Sequence, residues 1–335
     1  GWVLKYIQVY LTGAHFGVGE TAYQDYFVNF ISKPIEPLLW GTLFLAMCVY
    51  VVVRGVSKGI ERVSKFLMPC LFLILLAIVI RSVTLPGAKE GLQYLFTVRP
   101  GTLNGNTLVG ALGQAFFSLS VGMGIMVTYG SYVPKRENLV KSAAFICTID
   151  TMVAILAGIA IVPVVFITLG AEMPGGIVFG CLFFMLLFLA ALTSAISVLE
   201  SCVAFLTEEF HMGRLKAIVV LTIPMAFLSA GYSLSQSEVR NLNLPWFDFA
   251  YGIQMLPMNA VLEKFTDNLM IPLGALGFCL FVGWVWGTKN ALHEIELDGR
   301  TFRFRRAWSF LIRFLAPAVI VLILYFTLGK GQGLS

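Results

Sequence analysis

The stretch Gly113–Gly130, GQAFFSLSVGMGIMVTYG, lies in an apolar run of spanning length, yet serine and glycine crowd its centre. The residues concerned are Ser118, Ser120, Gly122 and Gly124. They disfavour an unbroken helix, because glycine loses the most backbone entropy on ordering and serine offers the backbone competing hydrogen bonds. A helix broken at membrane depth persists only where protein or a water-filled cavity satisfies the freed backbone groups. The stretch therefore indicates either a binding site at a broken span or a glycine-rich helix packed closely against a neighbour.

The composition of the whole chain is that of a polytopic membrane protein. Hydrophobic residues make up 58% of the 335 residues and charged residues only 12%, whereas about a quarter of the residues of a soluble protein are charged. The six cysteines lie in apolar runs without a CxxC pair, which is typical of small packing residues. No basic run is interleaved with aromatic residues, so a nucleic-acid partner is not expected.

Apolar runs predict eight complete membrane helices, since a bilayer requires about 20 apolar residues per helix. These runs cover residues 37–53, 66–84, 107–133, 139–168, 177–206, 216–234, 266–287 and 307–328. Residues 246–287 are predicted to begin as an extramembrane loop with a short helix that leads into the span. Residues 1–12 resemble the end of a further span, and without an initiator Met the chain is expected to be truncated at its N-terminus.

The distribution of Lys and Arg predicts the orientation in the membrane. The loops after the first, third, fifth and seventh complete spans, with the adjacent span edges, carry twice as many of these residues as the alternate loops and the C-terminus. By the positive-inside rule the first set of loops is cytoplasmic. The C-terminus is therefore expected on the extracytoplasmic side.

Two acidic residues fall inside predicted spans. Asp150 lies deep in the span 139–168, and a carboxylate at that depth usually faces the bundle interior and marks an ion or substrate path. The alternative is a structural acid paired with a residue of the missing N-terminal part. For Glu200, in the span 177–206, we expect a structural pairing.

A polar face is predicted on the helix 177–206. Helical spacing places five residues on it: Ala190, Thr193, Ser194, Ser197 and Val198. Hydroxyl and carbonyl oxygens suit a hard cation such as sodium. The alternative is that the Ser and Thr hydroxyls donate back to carbonyls of their own helix, as is common in membranes.

Together these motifs resemble the neurotransmitter:sodium symporter family, in its bacterial amino-acid branch, over the whole chain. Residues 114–124, followed by 129–132, resemble the unwound sixth span of that family, and residues 190–194 resemble its eighth-span sodium motif. Gly59 and Pro69, with nine residues between them, resemble the fifth-span motif linked to inward opening.

The resemblance implies an all-α polytopic membrane protein in a bacterial inner membrane, with the LeuT-type inverted-repeat transporter fold. The chain would be a single transmembrane domain, 1–335, that lacks spans 1, 2 and most of span 3. Residues 1–106 would hold the end of span 3, spans 4 and 5 and an outer loop. Residues 107–287 would form the second inverted repeat, spans 6 to 10, and residues 288–335 an inner loop and span 11.

The resemblance also implies roles for individual residues. Two Na⁺ sites are expected, each missing its first-span half; their ligands would be Ser118 and Asp150 in the first and Ala190, Thr193 and Ser194 in the second. The substrate would contact Phe117, as a roof, and Ser118, Ser120, Gly122, Met123, Ser194 and Val198. The gating residues would be Gly59, Pro69 and Glu263, the last at the place of an outer-gate acid and close to Asp267.

Two departures from the family pattern refine the prediction. Asp150 stands where many members have Asn, and Ala154 where chloride-dependent members have Ser and some chloride-independent members have Glu. Asp150 lies one turn before Ala154, so we hypothesise that its charge replaces chloride. Met123 and Val198 indicate an apolar pocket, which favours a neutral hydrophobic or aromatic amino acid as the substrate.

The predicted function is sodium-coupled amino-acid symport by alternating access. An ion channel that uses the polar break as a filter and an amino-acid sensor on the same scaffold are the two alternatives. An enzyme is not predicted, because the sequence has no HExxH, P-loop or GxSxG motif and its three histidines are isolated in predicted loops. The lipid bilayer and a small-molecule amino acid are the expected partners, and the sequence leaves the oligomeric state open.

Overall fold

The computed structural model describes residues 1–13, 22–99, 101, 105–134, 137–167, 176–237, 242–248, 252–297 and 301–329. The first helices are α1 (Trp2–Thr12), α2 (Ala22–Ser32), α3 (Glu36–Val53), α4 (Glu61–Val83) and α5 (Ala88–Phe96). They are followed by α6 (Gly105–Ser118), α7 (Ile125–Ser131), α8 (Leu139–Ile167), α9 (Gly176–Glu208) and α10 (Arg214–Ser235). Next come β1 (Asn243–Asp248), β2 (Gly252–Pro257), α11 (Met258–Glu263), α12 (Ile271–Leu280), α13 (Thr288–Ile295), α14 (Arg305–Phe310) and α15 (Ala316–Gly329).

Several helices contain π-helical turns, in which the backbone hydrogen bonds reach one residue further than in an α-helix. One turn, Val56–Ile60, precedes α4, and another, Lys264–Met270, joins α11 to α12. The turn Phe281–Val285 continues α12, and Leu311–Leu315 joins α14 to α15. The predicted seventh and eighth spans are therefore continuous helical stretches of mixed type.

Each of the eight predicted spans corresponds to helix in the structure, but the third is interrupted. Within the described ranges, seven helical stretches are long and apolar enough to cross a membrane. The third predicted span is not among them, because α6 has 14 residues and α7 only 7. Of the two alternatives that the sequence left open for this stretch, the structure has the interrupted helix.

Two compact units divide the chain. The first unit comprises residues 1–98 and 153–242, and the second comprises 99–152 and 243–335. In the first unit α9 is the central helix and packs against α1, α3, α4 and α10. Its core joins Val52 of α3, Leu199 and Val203 of α9 and Ile218 of α10.

The core of the second unit is formed where α6, α12 and α15 meet. The buried residues Ala275 and Cys279 of α12 and Ile320 of α15 form its centre. Phe116 and Val121, from the two sides of the point where α6 ends, pack against that centre. The broken span is therefore anchored to the core on both sides of the break.

A proline inside α8 is accommodated by residues of α4 and α5 in the first unit. Pro163 has no N–H to donate to the carbonyl of Ile159, four residues earlier. The buried Ser82 hydroxyl donates to that carbonyl instead, at 3.0 Å. Gly91 of α5 lies so close that a Cβ there would come within 3.0 Å of the Pro163 Cα.

The stretch before α11 contains a β-hairpin that the sequence did not predict. Strands β1 and β2 pair antiparallel, with Trp246 opposite Gln254 and Phe247 opposite Ile253. Side chains along β2 alternate between partly buried and exposed, which is the period of a strand lying on a surface. The short helix that was expected to lead into the span is α11, and it follows directly after β2.

Candidate functional site

The six residues between α6 and α7, Leu119–Gly124, form an unwound segment. The amide of Ser120 donates to the Phe117 carbonyl at 3.0 Å and the amide of Val121 donates to the Phe116 carbonyl at 3.1 Å. Ser120 itself has a positive φ of 54°, the left-handed conformation that commonly ends a helix. Gly124, with φ of 75°, then starts α7. The Ser and Gly composition is thus used to end one helix and begin the next within the span.

Of the last four carbonyls of α6, three accept backbone hydrogen bonds from the part of the chain that the structure describes and one does not. Amides of the unwound segment bond the carbonyls of Ala115, Phe116 and Phe117. Within the described residues the Ser118 carbonyl accepts no such bond. A free carbonyl at a helix C-terminus carries the negative end of the helix dipole, so this oxygen is available to a cation.

Asp150 of α8 lies against Ser118. The Ser118 Oγ is 2.6 Å from Oδ1 and 2.8 Å from Oδ2 of the carboxylate. Ser118 is exposed and Asp150 partly buried. The structure therefore brings together the two side chains that the resemblance assigned to the first sodium ion, both within the second unit.

Thr193 of α9 has its hydroxyl turned to its own helix. Its Oγ1 is 3.0 Å from the carbonyl oxygens of both Leu189 and Ala190, and the residue is only 8% exposed. Ser197 likewise donates to the Thr193 carbonyl at 3.0 Å. Both hydroxyls therefore donate hydrogen bonds to carbonyls of their own helix.

The neighbouring residues Ser194 and Val198 lie on the exposed side of α9. Within the described residues the Ser194 hydroxyl makes no hydrogen bond. The five positions predicted to share a face therefore differ in exposure, because successive residues of a helix are about 100° apart around its axis. Thr193 lies on the side of this face that is buried in the core, and Ser194 lies on the side that is exposed.

The other predicted substrate residues lie in or beside the unwound segment. Phe117 is half exposed, whereas Ser120 and Met123 are partly buried. The Met123 amide donates to the Ser120 carbonyl at 3.3 Å. Gly122 lies against α12, with the carbonyl of Ile271 next to its Cα.

The predicted gating residues occupy irregular parts of their helices. Gly59 is buried in the π-helical turn before α4, where a Cβ would come within 3.0 Å of the Val51 carbonyl. Pro69 lies inside α4. Glu263 ends α11 at the start of the turn Lys264–Met270.

Among the described residues, no three or more His, Cys, Asp and Glu side chains lie close enough together to hold a metal ion. A transition-metal or calcium centre usually draws several such side chains together. The candidate site instead offers one carboxylate with hydroxyl and carbonyl oxygens.

Comparison with known proteins identifies the family. The model of the sodium:neurotransmitter symporter family matches residues 33–171 and 161–334. The chain belongs to this family. This symporter chain is 34% identical to the sodium-dependent transporter YhdH of Bacillus subtilis (strain 168), over 96% of the chain and 74% of that protein.

Two further similar proteins have a known ligand or substrate class. The crystal structure of MhsT in complex with L-phenylalanine is 34% identical, with a TM-score of 0.82 over 96% of this chain and 75% of that one. The sodium-dependent neutral amino acid transporter B(0)AT3 of Mus musculus is 39% identical over 36% of this chain and 19% of that protein. The symporter chain therefore has the LeuT-type transporter fold and is an integral membrane transporter that uses sodium, not an enzyme.

One residue of this symporter chain with a clear role was not predicted from the sequence. Arg214, at the start of α10, donates through Nη1 and Nη2 to Glu200 at 3.0 and 2.5 Å. It also donates to the Val52 carbonyl at the end of α3, at 2.8 Å from Nη2. The structural pairing expected for Glu200 is confirmed. Its partner was missed because Arg214 appeared in the sequence as one basic residue of a cytoplasmic loop.

Proposed function

We propose that the protein is a sodium-coupled symporter of neutral hydrophobic or aromatic amino acids that works by alternating access. The observation that carries this proposal is the contact of Ser118 with Asp150 beside the broken span. There a carboxylate, a hydroxyl and a carbonyl that accepts no backbone hydrogen bond from the described residues are found where one half-helix ends. Oxygen ligands of this kind suit a hard cation, and relatives of the chain are sodium-dependent transporters.

For the first sodium ion we assign Ser118, through its carbonyl and hydroxyl, and Asp150. The Ser118 hydroxyl donates to the carboxylate of Asp150, with its oxygen 2.6 and 2.8 Å from the two carboxylate oxygens. A sodium ion here would be held by these oxygens and by the Ser118 carbonyl. The single negative charge of Asp150 and the C-terminal end of the α6 dipole favour a monovalent cation at this place.

For the second sodium ion we assign the Ala190 carbonyl and the hydroxyls of Thr193 and Ser194. The Thr193 hydroxyl oxygen lies 3.0 Å from the Ala190 carbonyl oxygen, so two of the three proposed ligand atoms are already neighbours. The Ser194 hydroxyl has no hydrogen-bond partner among the described residues. A cation here would replace the bonds of Thr193 to its own helix.

For the substrate we assign Phe117, Ser118, Ser120, Gly122 and Met123 in the second unit. In the first unit we assign Ser194 and Val198. The negative end of the α6 dipole favours a substrate ammonium group near Phe117. The apolar side chains of Met123 and Val198 favour a hydrophobic or aromatic amino acid, and the related MhsT crystallised with L-phenylalanine.

We further propose that transport is independent of chloride. Asp150 precedes Ala154 by one turn of α8, so its carboxylate places a fixed negative charge where chloride-dependent members of the family hold the anion. Replacing chloride with gluconate is then expected to leave uptake unchanged. Loss of uptake in gluconate would contradict this assignment.

Gating and repeat boundaries complete the proposal. Gly59, Pro69 and Glu263 are assigned to opening and closing, and residues 107–287 to the second inverted repeat. Gly59→Ala is expected to lower the maximal rate of uptake and to leave the substrate KM unchanged, because a Cβ at this position would meet the Val51 carbonyl.

We place the protein in a bacterial inner membrane with its C-terminus on the extracytoplasmic side. A reporter that is active only outside the cytoplasm, fused after the last residue, is expected to be active. Activity of a cytoplasmic reporter at the same position would contradict this orientation.

The experiment that tests the function is uptake of labelled L-phenylalanine by the full-length protein in proteoliposomes, with and without a sodium gradient. Sodium-driven accumulation is expected, and strong competition by leucine and tyrosine but not by glutamate or lysine. Asp150→Asn should raise the sodium concentration for half-maximal uptake about tenfold or more, because a charge-assisted contact is worth about 1.5–3 kcal/mol. Glu137→Gln, which removes a carboxylate from the loop before α8, is the matched control.

A sodium-independent flux would overturn symport. An ionic current that exceeds amino-acid flux by orders of magnitude would indicate a channel. Binding of the amino acid without accumulation would indicate a sensor.

A further inference from the structure

Helix α12 meets the unwound segment backbone to backbone. A Cβ on Gly122 would lie within 3.0 Å of both the carbonyl carbon and oxygen of Ile271. A Cβ on Gly274, three residues further along α12, would lie within 3.0 Å of the Gly122 carbonyl oxygen and 3.5 Å from the Gly122 Cα. Each glycine thus makes room for the backbone of the other element.

The reason for glycine at these two positions is space and not backbone conformation. Neither Gly122 nor Gly274 has a positive φ, whereas Gly124 has a φ of 75° and nothing within 4 Å of its Cβ position. The atoms within 3.0 Å of the added methyl group would belong to backbone on both sides. Backbone of a packed helix cannot move aside as the end of a flexible side chain does, so an added methyl has to displace the unwound segment.

The contact lies inside the anchored part of the second unit. Phe116 and Val121 hold the two sides of the break against Ala275, Cys279 and Ile320. The Ile271 and Gly274 contact adds a third point, at Gly122 itself. Within the described residues the Gly122 amide donates to no acceptor, so packing against α12 is what locates this part of the segment.

We propose that Gly274 is a positioning residue of the transport reaction. Through the Gly122 carbonyl it sets the depth at which the unwound segment lies, and hence the position of Ser120 and Met123. Substrate affinity and the preference among amino acids of different size follow from that depth, since a displacement of about 1 Å in a binding site changes its performance by up to about a hundredfold. This inference rests on the proposed function, in which the segment lines the amino-acid site.

The test compares Gly274→Ala with Gly277→Ala in the full-length protein. The two glycines lie on the same helix one turn apart, and a Cβ at Gly277 meets nothing within 4 Å. Uptake of L-phenylalanine and L-valine is measured in proteoliposomes with equal amounts of monodisperse protein. We expect Gly274→Ala to raise KM for phenylalanine about tenfold and to change the ratio of the two KM values at least about fivefold. The control should match the unmodified protein in both.

If the Gly274→Ala protein cannot be produced, a second variant tests the positioning role. Ile271→Ala removes the Cγ2 atom that lies 3.1 Å from the Cβ position of Gly122, so the segment loses a side-chain contact that holds it against α12. The ratio of the two KM values should then shift as well.

Several outcomes are distinguishable. If the unmodified protein shows no sodium-driven uptake, the proposed function fails. If it transports, but Gly274→Ala and Ile271→Ala change only the maximal rate, equally for both substrates, the contact is structural and the positioning role is refuted. Identical kinetics for Gly274→Ala and Gly277→Ala would refute it as well.

Discussion

At the residue scale, a few side-chain oxygens determine what the candidate site can bind. Ser118 and Asp150 are in contact across α6 and α8, and both were expected from the sequence. Thr193 was also expected, but its hydroxyl is directed at carbonyls of its own helix. Sequence spacing places such a hydroxyl on a helix face, and only the packing around α9 shows which edge of that face is buried.

Thr193→Val separates the ligand role of this hydroxyl from its structural role. The substitution keeps the shape of the side chain, and the carbonyls of Leu189 and Ala190 already lie within a helix, so the melting temperature should change little. If Thr193 binds sodium, half-maximal uptake should need about tenfold more sodium. Ser197→Ala is the control, because Ser197 donates to its own helix in the same way. Equal sodium requirements for the two variants would remove Thr193 from the site.

Glu296, beyond the end of α13, provides a test of pH dependence outside the membrane. Its carboxylate accepts bonds from Arg305 and, at 2.7 Å, from the Phe302 amide. These bonds hold the pKa of Glu296 below its ordinary value of 4.5, with Arg305 as the largest cause. A lowered pKa means that the stabilisation is present above pH 4.5 and is lost as the pH falls through the value in the folded protein.

Protection of the Phe302 amide from hydrogen exchange should therefore fall as the pH is lowered below 4.5, after correction for the intrinsic exchange rate. In Glu296→Gln this change should be absent. Glu294→Gln, two residues earlier and inside α13, should keep it. A persistent change in Glu296→Gln would assign the titration to another group.

At the element scale, the structure explains how irregular helices remain stable in a membrane. Within a bilayer every freed backbone group needs a partner inside the protein. At the break between α6 and α7, tight turns meet this need for the carbonyls of Ala115, Phe116 and Phe117. In α8 a hydroxyl from another helix meets it for the carbonyl of Ile159. Pro163 was visible in the sequence, but Ser82 could not be chosen from it as the partner because the two residues lie on separate helices.

A double-mutant cycle tests the link between Ser82 and Pro163. Ser82→Ala should lower the free energy of unfolding by about 1–3 kcal/mol, because it leaves the partly buried Ile159 carbonyl without the Ser82 hydroxyl as its partner. In a Pro163→Ala background the new N–H can bond that carbonyl, so the same change should cost less than about 1 kcal/mol. The measurement is unfolding of the purified protein in detergent. Equal costs in both backgrounds would show that Ser82 acts independently of the proline.

At the scale of the whole molecule, contacts between residues far apart in the chain hold each compact unit together. In the first unit Arg214 joins the end of α3 to the buried Glu200 of α9, although Val52 and Arg214 are 162 residues apart. Glu200 is 0% exposed. An acid buried in this way is tolerated only with a partner that supplies both charge and hydrogen bonds.

Removing Arg214 alone should therefore lower the free energy of unfolding more than removing the charges of both Arg214 and Glu200. Arg214→Ala should destabilise the protein by about 3–5 kcal/mol, because it removes the cation that bonds both oxygens of the buried Glu200 carboxylate. The double variant Arg214→Ala, Glu200→Gln should recover part of that loss. Lys216→Ala, two residues along α10, is the control. A double variant less stable than Arg214→Ala would show that the Glu200 charge is satisfied by another group.

The sequence by itself determined the membrane helices and the place in the third predicted span where a helix is disfavoured. These depend on local composition, because hydrophobic length and Ser and Gly content act within one segment of chain. The family and the proposed sodium ligands came from the resemblance of its motifs to known transporters. Only the tertiary structure decided which side of α9 is buried, which residue pairs with Glu200, and why Gly122 has no side chain. Those features depend on the approach of elements distant in sequence, such as α12 to the unwound segment, and no periodicity along one helix records what lies across from it.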